Sequence, residues 1–430
     1  MARFISTKTR PHAPRSLRTV FAVFGGGLNL VLIVALSAML VAVGQLLIPA
    51  QTSPGPTRYQ TIRGDSESYI AMTEGKGSCV DAPFRYRVLV PFMARWLPFS
   101  PANSLKSISY ASLFGSYMLI LLACRHVGLN LRHAVSGLLV VWASFHLYCY
   151  HNPYLTDAFG LLLICMMLFA LIKESFLLFA GAALLGILAR ETCIFILPVW
   201  LVTRQFRRSF LLIVSALVVL VVLRHVLTPA FASNTLASVV STYGREHLQH
   251  FIFFCHAVFC SWGLVWFLSL LGLWCLPAAL FPAMALAFIC LFAGASSTAF
   301  ISSDIERMFI FMAPVCAIAC ARFFSIIMGQ RRPLQVASVL GLCLAKMFVL
   351  LPNRLFVEGS IVFSPSGGRV ISAIEVITGL IVIVMLRKTI WREAKEKAQL
   401  LREGLRRISE QLREVLCGDS DHKKFAKPGM

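Results

Sequence analysis

The chain has 430 residues, 58% of them apolar and only 14% charged, with a mean hydropathy of +0.77 and a formal net charge of +21. A soluble domain carries roughly 25% charge, so the composition excludes an ordinary water-soluble enzyme and points to an all-α, polytopic transmembrane helical bundle. The positive excess falls in loops and tails, where it orients a membrane protein, so it gives no argument for nucleic acid.

The N-terminus is basic, with Arg3, Lys8, Arg10, Arg15 and Arg18. The apolar run from Val20 to Ile48 is too long for a signal-peptide core, typically about 7–15 residues. It reads as an uncleaved first span leading out of the cytoplasm. An outer loop, 51–103, follows. Within it, Arg63 to Pro98 carries Asp65 and Glu67, then Tyr69, then a segment opened by Pro83. There Phe84, Val88, Phe92 and Trp96 recur every four residues, which predicts one side of a helix, with Arg85, Arg87 and Arg95 off that side. The bland reading is a solvated loop and an interfacial helix that snorkels its arginines.

Span two is expected near Leu105–Cys124 and span three near Ala134–Tyr150, with Pro153 as breaker and Asp157 at the mouth of span four. Phe176–Val202 is either one bent span or two short ones meeting at Arg190-Glu191. One span would put the later basic clusters Arg204, Arg207, Arg208, Arg331 and Arg332 outside, while two put them in the cytoplasm, as the positive-inside rule favours. Span seven follows near Phe210–Leu227, then an outer loop Thr228–His250 and two spans in Phe251–Ala293. Another outer loop carries Asp304, Glu306 and Arg307 into span ten. Span eleven ends near Pro352, and span twelve lies near Val370–Leu386. The total is about twelve spans with both termini in the cytoplasm.

The module 1–386 therefore differs in kind from the tail, 387–430. In the tail Ala394, Ala398, Leu401, Leu405, Ile408, Leu412 and Val415 alternate spacings of four and three. That is a heptad seam for a second copy or a partner helix, or else an amphipathic cytoplasmic helix lying on anionic lipid. Most of the thirteen cysteines lie inside apolar runs and show no zinc spacing, so they read as small buried hydrophobes. His247 and His250, three apart, read as polar surface more readily than as metal ligands.

On this topology Asp65, Glu67, Arg85, Arg87, Asp157, Arg190, Glu191, Asp304, Glu306 and Arg307 share the outer face, mostly at span ends. Ionisable groups at membrane depth are costly and face polar interiors. Arginines grip phosphate in a bidentate fork, and a carboxylate can take a proton from a hydroxyl or hold a divalent metal. The opposing reading is a set of separate ion pairs, such as Arg190 with Glu191.

The acidic Asp65-Ser-Glu67, the following APFRYRVLVPFMARWLP, the second outer acid Asp157, LLGILARETCIFILP and SSDIERMFIFMAP together resemble the GT-C superfamily of integral-membrane glycosyltransferases, over most of the chain to Pro314. The resemblance implies a polyprenyl-phosphate sugar as donor, membrane lipid as partner, and a bacterial inner membrane as location. It implies Asp65 as base or metal ligand, supported by Glu67 and Asp157, with Arg85, Arg87, Arg190 and Arg307 on the lipid phosphate. A divalent metal is left open, because the pair is Asp-x-Glu where many members have Asp-x-Asp. A transporter or flippase of lipid-linked saccharides, or a non-catalytic membrane scaffold, stands as the alternative.

Overall fold

The computed structural model describes residues 27–48, 65–80, 84–144, 148–203, 206–227, 240–300, 305–329, 339–341, 343, 355–357, 360–362 and 372–387, with scattered positions between 391 and 410. The described residues are helical or in loops, apart from one antiparallel ladder pairing Leu355–Val357 with Ser360–Val362. Arg354, Glu358 and Arg369, expected in a loop there, lie outside the described residues, as do Asp304 and most of the tail seam. The described tail positions are helical, and Arg406 donates to Glu410 at 2.8 Å, one turn on.

Helix α1, Gly27–Leu47, is a mostly apolar run without a charge, and in lipid a helix satisfies such a run's backbone within itself. The loop after it holds α2, Asp65–Thr73, and α3, Leu89–Arg95. Helix α4, Pro101–His126, starts with proline in its first turn and ends at Gly128, whose φ of +85° turns the chain. Then come α5, Leu131–Trp142, the short α6, Tyr148–His151, and α7, Asp157–Ile172. Helix α8, Phe176–Ala189, is followed by a 3-10 helix, Glu191–Thr203. Next are α9, Phe206–Val226, the short α10, Arg245–Gln249, and α11, Phe251–Trp262. Gly263, at φ +54°, breaks α11 from α12, Leu264–Trp274. The run closes with α13, Phe281–Phe300, α14, Ile305–Met308, a 3-10 turn Phe309–Met312, and α15, Ala313–Gly329. Residues 372–387 form one more helix.

Among the described residues, five helices are long and apolar enough to cross a membrane: Asn29–Leu47, Pro101–His126, Phe206–Val226, Phe281–Phe300 and Phe309–Met328. The last is central, 83% buried, whereas Asn29–Leu47 and Phe206–Val226 are 22% and 17% buried. The peripheral helices show Leu46, Phe210 and Val221 outward, as lipid-facing surfaces do. Helices α5, α7 and α8 are shorter, about 18–24 Å. Helices α5 and α7 pack against the centre and α8 against α7, and glycines let backbones meet. A Cβ on Gly137 would strike the Ala317 and Ala321 backbone, and one on Gly272 the Ala319 carbonyl.

Two expectations about local structure resolve here. Phe176 and Phe179 both pack on Trp200, at 5.6 and 4.8 Å between ring centroids. The start of α8 therefore meets the end of the following 3-10 helix, and Phe176–Val202 is a hairpin of two short segments with Arg190-Glu191 at its tip. Phe84–Trp96, by contrast, is not one helix. A 3-10 turn covers Phe84–Tyr86 and α3 starts afresh at Leu89. Pro91 explains the restart: inside a helix begun at Phe84 its ring would meet the Arg87 carbonyl, but it fits the first turn of a new one. Phe92 and Trp96 are exposed, and Val90, Pro91 and Ala94 are buried instead.

The two ends of the bundle differ in their carboxylates. Asp65, Asp157 and Glu191 lie at one, with Arg87, Arg190, Arg307 and, over the Tyr86 ring, Arg224. Arg125, Arg132, Lys173, Arg208 and Arg322 lie at the other, where Arg208 stacks over Phe176 and Arg322 donates to the Cys275 carbonyl at 2.7 Å.

Candidate functional site

Each charge at the first end has a local reason to be there. Asp65 and Glu67 occupy the first turn of α2, and Asp157 opens α7, where free N–H groups favour carboxylates. Arg190 caps the C-terminus of α8, where a cation is favoured, and Glu191 opens the next helix. Arg190 itself is extended, at φ −161° and ψ 125°, so the two neighbouring side chains leave in different directions.

They find different partners. Arg190 pairs with Asp157 through Nη1 and Oδ1, lies over the Phe311 ring at 5.2 Å, and meets the Met308 sulfur at 3.5 Å. Asp157 also faces Arg307, whose Nε is 3.4 Å from Oδ2. Arg307 Nη1 donates to Asp65 Oδ2 at 2.7 Å. A continuous chain of alternating charge thus runs Asp65, Arg307, Asp157, Arg190. Beside it, Arg87 grips Glu191 with two N–H groups, at 3.0 and 2.6 Å, and donates a third to the Tyr69 hydroxyl at 2.8 Å. Ser66 donates to Asn152 at 2.9 Å, tying α2 to the stretch before α7. The separate pair Arg190–Glu191 is not formed.

Exposure grades the cluster. The Arg190 and Asp157 side chains are 1% and 2% exposed, Arg307 is 5%, and Asp65 is 30%. Burial pushes the Tyr69 phenol up despite the pull of Arg87, so it stays protonated at neutral pH. Burial alone would disfavour the Arg87 cation, but Glu191 and Tyr69 outweigh it and raise its pKa above an arginine's usual value. Three arginines, Arg87, Arg190 and Arg307, thus meet three carboxylates, Asp65, Asp157 and Glu191, in electrical balance.

Of the other residues singled out, Glu67 and Arg85 are half-buried and have no partner among the described residues. The Glu306 side chain lies outside them. His247 is spent on structure, its Nδ1 2.9 Å from the Phe300 carbonyl. Two groups escaped the sequence reading. Asn152 carries no charge to mark it as the partner of Ser66. Glu375, 2% exposed, accepts from the Leu264 N–H at 3.2 Å, at the Gly263 break. As a lone carboxylate in an apolar run, it had a signal that could have found it.

Comparison with protein-family models, curated proteins and solved structures returns no match. The cluster's chemistry therefore rests on its geometry. It can hold an anion only by exchanging it for one of its own carboxylates, and Asp65 and Glu191 are the two within reach of solvent.

Proposed function

We infer that the cluster is the site of a GT-C-like membrane glycosyltransferase, moving a sugar from a polyprenyl-phosphate donor to an acceptor on the extracytoplasmic face, with inversion. The observation that carries this reading is the meeting of Asp65, from the loop after α1, with Arg307 and Asp157 at one end of the bundle. The basic residues at the opposite end, which few carboxylates accompany among the described residues, support placing that end in the cytoplasm, and the cluster outside, in an inner membrane. Such a site needs cations on the leaving phosphate and a base for the acceptor, and the cluster has both within one network.

In the reaction the acceptor oxygen attacks the anomeric carbon, the bond from that carbon to the phosphate oxygen breaks, and polyprenyl phosphate leaves with the electron pair. The acceptor proton goes to Asp65, the more exposed aspartate. Arg307 and Arg87, with Arg85 beside them, stabilise the leaving phosphate. Asp157 and Arg190, buried against each other, orient Arg307. Glu67, half-buried and two residues on along α2, leaves that helix on a different side from Asp65 and has a supporting part only. A divalent metal does not fit the residues as arranged: among those described, no three His, Cys, Asp or Glu side chains gather to hold one, and the aspartates that meet share Arg307.

A transporter or flippase would place its charges midway along its spans. Here they sit at helix ends, which favours the transferase. The tail would serve as an oligomer or partner contact on the cytoplasmic side. The reading is tested with purified protein in liposomes and a panel of polyprenyl-phosphate sugars. Release of polyprenyl phosphate from at least one donor is expected, and folded protein inert to the whole panel and to added acceptors would end it.

A further inference from the structure

Arg307 meets two carboxylates, Asp65 and Asp157, on unequal terms. Its Nε faces Asp157, which is almost fully buried and also holds Arg190, so the inner edge of the guanidinium is anchored. Its Nη1 meets Asp65, whose side chain is 30% exposed. Asp65 stands at the first residue of a nine-residue helix, and the neighbouring ties of that helix, Ser66 to Asn152 and Arg87 to Tyr69, do not involve the Asp65 carboxylate. A carboxylate and the free oxygens of a phosphate, in a diester as in a monoester, use the same planar N–H donors.

We propose that Asp65 occupies, in the ligand-free protein, the edge of Arg307 that takes the phosphate of the lipid-linked ligand, and that the incoming phosphate displaces it. This rests on the phosphate site proposed above and adds an order of events. The resting enzyme keeps its base tied to its phosphate-binding arginine. Arrival of the donor trades one oxyanion for another on Arg307, so little charge is left uncompensated while Asp157 stays in place. The Asp65 carboxylate is then released beside the donor it has admitted, free to accept the acceptor's proton. Donor binding precedes base release, and an acceptor arriving first meets an engaged carboxylate.

The experiment measures binding of farnesyl phosphate, a short-chain polyprenyl monophosphate, to the full chain in nanodiscs by calorimetry. Removing the competing charge while keeping a good helix-start residue, as in Asp65→Asn, is expected to tighten binding about threefold to tenfold. Asp65→Ser supplies the same reading should the asparagine variant not fold. Glu74→Gln removes one negative charge from the same loop, at a side chain paired with Lys76, and is expected to leave the Kd unchanged. Arg307→Ala is expected to weaken binding at least about tenfold. Equal or weaker binding by both Asp65 variants, with Arg307→Ala still deleterious, would overturn the exchange and leave the phosphate site standing. Tightening by Glu74→Gln to the same degree would reduce the effect to overall charge and overturn it too. Absence of farnesyl phosphate binding to the wild type would remove the phosphate site itself, and the exchange with it.

Discussion

On the proposed reading Arg307 handles ligand and Asp157 holds the cluster together. Lysine at 307 keeps the charge but loses the fork that spans Asp65 and Asp157. Arg307→Lys is therefore expected to raise the donor KM, and Arg307→Ala to raise it more. Unchanged donor kinetics in both would make Arg307 structural. Asp157→Asn acts differently, because it leaves the Arg190 cation buried without its counter-charge. Breaking such a pair from one side costs about 3–5 kcal/mol. The expected result is a lower unfolding temperature and a smaller folded fraction in detergent, beyond any loss of turnover. An Asp157→Asn protein as stable as the wild type would contradict the buried pairing. The members of the cluster were legible in the sequence, because charges at the ends of apolar runs stand out. Their partners were not. Arg190 and Glu191 are adjacent, so proximity in sequence suggested a pair, and only the extended backbone at Arg190 sends them to Asp157 and Arg87.

At the scale of elements, apolar run length located the long helices well: α4 brackets Leu105–Cys124 and α9 overlaps Phe210–Leu227. Periodicity failed between Phe84 and Trp96, where the spacing was helical but Pro91 forbade one continuous helix. The hairpin at Arg190-Glu191 was open on sequence alone, because hydropathy cannot tell a bend from a reversal, whereas the Phe176–Trp200 contact can. Close packing was invisible for a related reason: a glycine in an apolar helix looks the same facing lipid or facing a backbone. Gly272 faces the Ala319 carbonyl, so a methyl there must push α12 off α15. Gly272→Ala is expected to destabilise the protein by about 1–3 kcal/mol, seen as a lower unfolding temperature. Gly181, which has open space around its Cβ position, should accept alanine with little change.

For the whole molecule, the gathering of carboxylates at one end of the bundle is the feature on which the proposed function rests. On the proposed topology the exposed native Cys79, in the loop after α2, faces away from the cytoplasm, and the exposed Arg132, at the start of α5, faces toward it. In an otherwise cysteine-free chain, a membrane-impermeant maleimide should label Cys79 in intact cells. Arg132→Cys, in a background without Cys79, should label only after the membrane is opened. Labelling of both from one side would undo the topology. The most direct test of the central claim is sugar transfer in proteoliposomes by the wild type beside Asp65→Asn. The account predicts transfer from a polyprenyl-phosphate sugar that falls about 10²–10⁴-fold in the variant, with polyprenyl phosphate still bound. Equal turnover by the two proteins would contradict it, because the chemistry would then lie elsewhere than in this cluster.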